Sequence, residues 1–292
     1  MKTVIITGAG SGIGRETAKL FARKDHRVVV ADIDEAGAEA TVEQIKADGG
    51  EAIAYRLDVR HEHEWEQFAR WIGAEFGSAD VLVNNAGIMD LGGFVDTTVA
   101  QWQRLVDIDL MSVIYGSRAF ARQMIDAGVR GHIVNISSGA AFLPSELEPA
   151  YGVAKAAVLM ATQSLRVELR PHGIGVTAIC PGVIRTNLLA HGERNGLSAE
   201  EQEKWRAQAD AAQTGLAYAG PDKVARVIER SVRNNWAVVP VNPEAWFIYG
   251  LIRLSPTLAR VVPSVLSFDR AEKLLAVGKP LLDRLSKGKV TA

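Results

Sequence analysis

The sequence predicts an α/β fold, a doubly wound parallel sheet of about seven strands with helices on both faces. Short apolar or β-branched runs recur along the chain, stretches with helical periodicity separate them, and a glycine-rich turn follows the first run. Strands that alternate with helices favour a parallel sheet joined by right-handed crossovers. The predicted strands are 4–7, 27–31, 51–57, 80–83, 131–136, 175–180 and 236–239.

Composition and charge limit the classes of function. Of the 292 residues, 48% are apolar, which is ample for a core, and the formal net charge is −1. That charge gives no electrostatic case for nucleic acid or for a generally acidic partner. The single cysteine, Cys180, lies in an apolar run, so no disulfide forms within the chain and a reducing compartment is favoured. The first apolar run is too short for a signal peptide, and we expect a cytoplasmic protein.

A glycine-rich turn after the first strand predicts a phosphate site. The run Thr7-Gly8-Ala9-Gly10-Ser11-Gly12-Ile13-Gly14 joins a strand to a helix, where small residues let the backbone approach an anion and the helix N-terminus attracts it. Asp32 ends the second strand, where its carboxylate is placed to accept hydrogen bonds from both hydroxyls of an adenosine ribose. A 2′-phosphate would be repelled there, and neither Ser11 nor Ile33 is basic. The sequence therefore favours NAD over NADP.

A second group of polar residues surrounds the helix predicted to begin near Ala150. Ser138 follows the fifth strand, while Tyr151 and Lys155 are four residues apart and share one face of that helix. A cation about 4 Å from the phenol is worth about 4 kcal/mol at an effective dielectric constant of about 20, or about three pKa units. Tyr151 could then act as a general base, with Ser138 donating a hydrogen bond to a substrate oxygen. The spacing of Tyr151 and Lys155 alone is weak support for a catalytic site, because any exposed helix can carry such a pair by chance.

The position of the motifs relative to the strands is the stronger argument. The glycine-rich turn, Asp32, the segment 84–87, Ser138 and the segment 181–186 each follow a strand. In such sheets ligands bind beyond the carboxyl ends of the strands. The motifs therefore converge on one edge, where we expect the functional site.

One further motif invites a different interpretation. His61-Glu62-His63-Glu64 is rich in metal-ligating residues, but positions two apart on a helix point away from each other, and no further ligands accompany them. We interpret this segment as a helix start and expect no metal site.

Taken together, these residues resemble the short-chain dehydrogenase/reductase family, in its single-domain Rossmann-type branch, over about residues 2 to 240. The resemblance implies NAD as cofactor, a small-molecule alcohol or ketone as substrate, and a homo-oligomer, either a dimer or a tetramer. The implied catalytic residues are Ser138, Tyr151, Lys155 and Asp109. The implied cofactor-binding residues are Gly8, Ser11, Gly12, Ile13, Gly14, Asp32, Asp58, Val59, Asn85, Ala86, Gly87, Tyr151, Lys155, Pro181, Gly182, Ile184 and Thr186.

The resemblance also implies a division of roles. Tyr151 would take or give the hydroxyl proton, Ser138 would orient the substrate oxygen, and Lys155 would lower the pKa of Tyr151 and bind the nicotinamide ribose. Asp109 departs from the pattern, because many family members carry an asparagine there as part of a proton relay. If the relay uses the backbone carbonyl at this position, the change is nearly silent. If the side chain takes part, a carboxylate beside Lys155 would raise the pKa of the lysine and weaken its field on Tyr151. We therefore expect activity with a shifted pH optimum.

A variable lid is expected within the catalytic domain, which we assign to residues 1–240. The lid covers about 187–218, where the family varies with substrate. His191, Trp205 and Tyr218 either face the substrate or pack inside a plain amphipathic lid, and the second interpretation is favoured.

Residues 241–292 form an extension beyond the domain. It is apolar between Glu244 and Asp269, but prolines interrupt it and the apolar run is too short for a membrane span. Three interpretations remain open. The extension packs on the sheet or a sister subunit, completes a hydrophobic substrate pocket, or lies on a membrane surface.

The sequence predicts a NAD-dependent alcohol dehydrogenase or ketone reductase acting on a secondary alcohol with a large, steroid- or lipid-like apolar body. An epimerase or dehydratase of the longer-chain relatives is disfavoured by the spacing of the first glycines. A catalytically silent NAD-binding scaffold remains an alternative. The intact Ser138, Tyr151 and Lys155 argue against it, whereas Asp109 leaves it open.

Overall fold

A computed structural model describes residues 1–186, 188–189, 192–216, 219–255 and 257, with the backbone alone over 208–216. Seven strands occur within these residues. They are β1 (Thr3–Thr7), β2 (Arg27–Asp32), β3 (Glu51–Arg56), β4 (Val81–Asn84), β5 (His132–Ile136), β6 (Gly175–Pro181) and β7 (Val238–Val241).

Nine α-helices occur in the same described part of the chain. They are α1 (Gly12–Ala22), α2 (Glu35–Ala47), α3 (Glu62–Phe76), α4 (Val99–Val106), α5 (Ser112–Asp126), α6 (Pro149–Leu169), α7 (Ala199–Leu216), α8 (Pro221–Asn234) and α9 (Pro243–Leu254). Short 3-10 turns cover Gly139–Ala141 and Arg170–His172.

All strand pairs are parallel, and their order in the sheet is β3-β2-β1-β4-β5-β6-β7. The predicted doubly wound parallel sheet is confirmed. Every residue of β1, β4, β5 and β6 is buried, because helices cover both faces of a sheet built by crossovers. Strands β2 and β3 extend the sheet on one side of β1, and β4 to β7 extend it on the other side. In such a sheet the ligand-binding crevice opens between β1 and β4, where the strand order reverses.

Two apolar clusters, one on each face, hold the helices against the sheet. One contains Phe21 of α1 and Ile228 of α8. The other contains Trp65 and Phe68 of α3 with Phe120 of α5, whose ring meets that of Phe68 edge-on at 5.7 Å between centroids. These clusters fix the helices whose N-termini point to the carboxyl edge of the sheet.

The structure moves at least one end of each predicted strand by one or two residues. β7 runs from Val238 to Val241 and contains Pro240, whereas the sequence predicted an end at Val239. Proline is tolerated there because β7 is an edge strand, and an edge strand has one unpaired side that needs no N–H donor. Helix α1 begins at Gly12, so Gly12 and Gly14 of the glycine-rich run lie within the first turn of the helix.

A wide helical turn interrupts the long helix predicted from Val99 to about Ala127. Residues Asp107–Met111 form a π-helical segment between α4 and α5. Such single π turns insert an extra residue and are frequent at functional sites. Asp109 lies in this turn and is completely buried.

The lid and the extension are only partly described. The helix start predicted at Ser198 is confirmed, since α7 begins at Ala199, and Trp205 within it is buried. The predictions for His191, for Tyr218 and for the extension beyond residue 257 lie outside the described residues. None of the helices in the described part is both long and apolar enough to cross a membrane.

Candidate active site

The glycine-rich turn after β1 packs closely against the segment that follows β4. Gly8 has a φ of +62°, and a Cβ there would lie 2.9 Å from the Cα of Ala86. Thr7 Oγ1 accepts hydrogen bonds from the backbone N–H groups of Asn85 and Ala86, both at 3.0 Å. A larger residue would therefore separate two strand ends that the sheet holds together. Ser11, Gly12, Ile13 and Gly14 follow as the N-cap and first turn of α1.

Asp32 ends β2 and holds the same turn from the other side. Its Oδ2 accepts the N–H of Gly10 at 2.8 Å, and its Oδ1 accepts the N–H of Asp34 at 3.0 Å. The Asp32 residue is half-buried. Arg15, which sequence reasoning missed, brings a basic group to this turn. Its guanidinium donates to the carbonyl oxygen of Gly10 and, through Nε, to Thr41 Oγ1 at 3.0 Å.

Asp58 and Val59 follow β3, as predicted for residues near an adenine. The Asp58 carboxylate is buried against Arg60, whose Nε donates to Oδ1 at 2.9 Å. This hydrogen bond holds the pKa of Asp58 below its usual range. Because Arg60 engages the carboxylate, the predicted role of Asp58 toward an adenine stays a prediction.

The π turn and α6 bring Asp109 and Lys155 together as a buried ion pair. Lys155 Nζ lies 3.2 Å from Asp109 Oδ1, and both side chains are almost completely out of water. The same Oδ1 accepts the N–H of Ile88 at 3.0 Å, whereas Oδ2 is buried with no hydrogen-bond partner among the described residues. A Cβ on Gly87 would lie 2.5 Å from Oδ1, so only glycine allows this approach. Burial raises the pKa of Asp109, although the ammonium of Lys155 opposes the rise.

Tyr151 lies one helical turn from Lys155 on α6, with its ring 5.5 Å from the ammonium nitrogen. Burial raises the pKa of Tyr151 above its ordinary value, and the negative charge of Asp109 raises it further. A hydrogen bond from Ser138 acts in the opposite direction. The sequence predicted that Lys155 lowers this pKa. In the structure the lysine faces a carboxylate, and burial determines the direction instead.

Ser138 begins the short 3-10 turn after β5. Its Oγ accepts the N–H of Ala140 at 3.1 Å and is also within hydrogen-bonding reach of Tyr151. The neighbouring Ser137 donates from Oγ to the carbonyl oxygen of Lys155 at 2.8 Å, which ties α6 to the end of β5. The structure thus brings Ser138, Tyr151, Lys155 and Asp109 into one cluster.

The loop after β6 lies beside this cluster. Pro181 is the last residue of β6, and Gly182 donates its N–H to the carbonyl oxygen of Val241 at 3.1 Å. The side chain of Ile184 is buried in the core, so only its backbone is available to a ligand. Thr186 is half-buried at the end of the loop.

Glu148 is an acid that sequence reasoning missed. It is the N-cap residue of α6, and its charge is close enough to Tyr151 to raise the pKa of the phenol. Burial raises the pKa of Glu148 itself to about 7. No sequence pattern predicted this role, because the burial of Glu148 depends on tertiary packing.

Long-range contacts also anchor the lid, and no sequence pattern predicted them. Asp90, in the segment after β4, accepts the N–H of Glu193 at 2.9 Å, and Arg104 lies 3.0 Å from the carboxylate of Glu193. Leu91 donates its N–H to the carbonyl oxygen of Glu193 at 2.7 Å. These bonds hold the start of the lid against the loop that carries Gly87.

A family model described as short chain dehydrogenase matches residues 2–195. The chain belongs to the short-chain dehydrogenase family. This membership agrees with the resemblance inferred from the glycine-rich turn and from the Ser138, Tyr151 and Lys155 spacing.

Individual relatives support the same family. The chain is 44% identical over 259 residues to a probable oxidoreductase, EphD, of Mycobacterium tuberculosis, a match that covers 88% of this chain but 44% of that protein. It therefore spans less than half the length of that relative. It is 32% identical over 249 residues to a cyclopentanol dehydrogenase of Comamonas testosteroni, covering 85% of this chain and 93% of the relative.

A solved structure has the same architecture. A short-chain dehydrogenase/reductase from Burkholderia phymatum, crystallised in complex with NAD, superimposes with a TM-score of 0.77 and 27% sequence identity. The match covers 87% of this chain and 94% of that one. Both chains therefore share the doubly wound sheet and the edge at which the cluster lies.

Proposed function

We propose that this chain is a NAD-dependent oxidoreductase that interconverts a secondary alcohol and a ketone on a substrate with a large apolar body. The observation that supports it most is the cluster of Ser138, Tyr151 and Lys155 beside the glycine-rich turn, at the carboxyl edge of a doubly wound sheet. The fold, the turn and the cluster each belong to the family's pattern.

The residues present fit a dinucleotide. Backbone N–H groups of the Gly8–Gly14 turn and the N-terminus of α1 would hold the pyrophosphate, and Asp32 would accept the adenosine ribose hydroxyls. Ala86, Gly87, Lys155 and the loop 181–186 would hold the nicotinamide end. When bound, NAD would carry the hydride that leaves or joins the reacting carbon.

The chain's own residues would handle the proton and the oxygen. Ser138 donates a hydrogen bond to the substrate oxygen, and Tyr151 exchanges the proton with it. Because burial and Asp109 keep the pKa of Tyr151 high, the phenol is protonated at neutral pH. A protonated phenol is the acid that ketone reduction needs, so the site favours reduction near pH 7, and alcohol oxidation should accelerate at alkaline pH.

The first turns of the extension support a substrate with an apolar body. The ring of Tyr249 in α9 packs 5.0 Å from that of Phe142, which follows Ser138 by four residues, and Trp246 lies edge-on to Tyr249. These rings form an aromatic group that joins α9 to the segment just after Ser138. We propose that residues 1–240 form the catalytic domain, with a lid over about 187–218, and that the extension 241–292 packs on the domain or at an interface.

NADH formation from NAD⁺ tests the proposal. Secondary alcohols graded from small to steroid-sized serve as substrates, with NADP⁺ as the control cofactor. We expect kcat/KM to rise with apolar bulk and NAD⁺ to be preferred. Preference for NADP⁺ would overturn the role of Asp32, and absence of turnover with every alcohol and ketone would overturn the oxidoreductase assignment.

A silent NAD-binding scaffold is the second candidate, and Asp109 favours it, because its carboxylate engages the lysine that the catalytic cluster uses. A scaffold would bind NADH without turnover in the wild type. We further propose, from the family resemblance, a cytoplasmic homo-oligomer. Its subunit number can be measured by light scattering.

A further inference from the structure

The start of the extension lies directly behind the loop that follows β6. Glu244, in the first turn of α9, accepts the backbone N–H of Val183 through Oε1 at 3.2 Å. A Cβ added to Gly182 would collide with the same carboxylate. The loop and the side chain of Glu244 are therefore in direct contact, and this contact requires glycine at position 182.

Asn242 binds the next peptide of the same residue, Val183. Its Nδ2 donates to the carbonyl oxygen of Val183 at 3.3 Å, and its side chain is buried. Its backbone has a φ of +83°, a left-handed conformation that a non-glycine residue rarely adopts. A strained backbone persists only where the surrounding contacts hold it.

Three neighbouring residues of the extension thus bind two successive residues of the loop. The carbonyl oxygen of Val241 accepts the N–H of Gly182. The Asn242 side chain donates to the carbonyl oxygen of Val183, and the Glu244 carboxylate accepts the N–H of Val183. The Val183 side chain is half exposed, so little packing holds this part of the loop. Ordering one backbone residue costs about 1–2 kcal/mol, and contacts that order it before a ligand arrives remove that cost from binding.

We propose that Asn242 and Glu244 are positioning residues for the cofactor: they fix the Gly182–Val183 backbone and so pre-organise the loop for the nicotinamide end of NAD. The inference rests on the proposed function, in which residues 181–186 hold that end. It gives the first residues of the extension a role in the catalytic domain.

Binding of two ligands to the full chain tests the inference. NADH spans both halves of the site, whereas AMP occupies only the adenosine half. In Glu244→Ala we expect the Kd for NADH to rise about tenfold, since one charge-assisted hydrogen bond is lost, while the Kd for AMP stays within about twofold. In Glu244→Gln the amide oxygen still accepts the Val183 N–H, and the Kd for NADH should remain near the wild-type value. Phe247→Ser, on the exposed side of α9, is the matched control and should bind both ligands normally.

Each other outcome contradicts the inference. Unchanged NADH binding in Glu244→Ala would show that the contact does not organise the loop. Equal weakening of NADH and AMP would indicate a general loss of structure, and weakening in Glu244→Gln equal to that in Glu244→Ala would assign the effect to charge. If the wild-type chain does not bind NADH, both the proposed function and this inference are contradicted. If it binds NADH but shows no turnover, only the proposed oxidoreductase function is contradicted.

Discussion

Two aspartates face the carboxyl edge of the sheet, and their surroundings differ. Asp32 is half-buried, and each of its oxygens accepts a backbone N–H, from Gly10 and from Asp34. Asp109 is completely buried. Its Oδ1 is shared between Lys155 and the N–H of Ile88, and its Oδ2 has no hydrogen-bond partner in the described residues. One carboxylate shapes a backbone turn, whereas the other places a negative charge near Tyr151, the proposed catalytic residue.

The difference shows how local and long-range structure divide the site. The bonds of Asp32 connect residues within and just after the β1–α1–β2 unit, so they form when this part of the chain folds. The Asp109 pair needs a π turn, the close approach of Gly87 and the packing of α6 at the same time. A buried ion pair repays its desolvation only when its geometry is good, and an unpartnered oxygen makes the balance less favourable. The unfavourable electrostatic contribution to stability is therefore expected at the Asp109–Lys155 pair.

The largest expected effect comes from removing the proton-transferring group of the Asp109 region. Tyr151→Phe should lower kcat by about 10³-fold, since positioned acid–base groups contribute about 10²–10⁴-fold. The Kd for NADH should stay near the wild-type value, because the phenol oxygen is lost and the fold is kept. Steady-state kinetics and NADH fluorescence measure the two quantities. A variant that turns over at the wild-type rate would remove Tyr151 from the mechanism.

The Asp32 region gives the next effect. Asp32→Ala should lower kcat/KM for NAD⁺ by about 10- to 100-fold, because hydrogen bonds to a charged group are worth about 1.5–3 kcal/mol. The value for NADP⁺ should fall less, since the charge that repels a 2′-phosphate is gone. Asp34→Ala, at the exposed acid two residues on, is the control and should leave the cofactor ratio unchanged. Equal losses with both cofactors would mean that Asp32 acts only through the turn.

The same division explains how much of the molecule is predictable from sequence. The individual strands, the glycine-rich turn and the end of β2 at Asp32 are each recognised from residues close together in the chain, so their patterns are visible in the sequence. The contact of Glu244 with Val183 joins residues 61 apart in the chain, and no periodic pattern in the sequence predicts it. The direction of the Tyr151 pKa was also beyond the sequence, because it depends on burial and on which partner Lys155 faces.

A smaller effect concerns Glu148, the second acid near Tyr151. Its pKa of about 7 in the folded chain lies above its ordinary value, so the folded state binds the proton more tightly and stability falls as pH rises from about 4.5 to 7. Glu148→Gln removes this penalty. At pH 8 we expect a gain of about 1–2 kcal/mol, a few degrees in Tm, and almost none at pH 4.5.

Thermal unfolding at both pH values measures this gain. The exposed Glu146→Gln is the control, and its Tm difference from the wild type should not depend on pH. A Glu148→Gln gain of equal size at pH 4.5 and pH 8 would contradict the raised pKa.

The most direct test of the account is the pH–rate profile of alcohol oxidation for wild type and Asp109→Asn. The negative charge of Asp109 raises the pKa of Tyr151, while Lys155 faces Asp109 and Asp90 adds a further negative charge nearby. Asparagine keeps the acceptor for the Ile88 N–H and removes the charge. The alkaline rise of kcat/KM should move to lower pH by about one unit. A profile that does not move would contradict the central claim that the charge of the buried Asp109 adds to the effect of burial in raising the pKa of Tyr151.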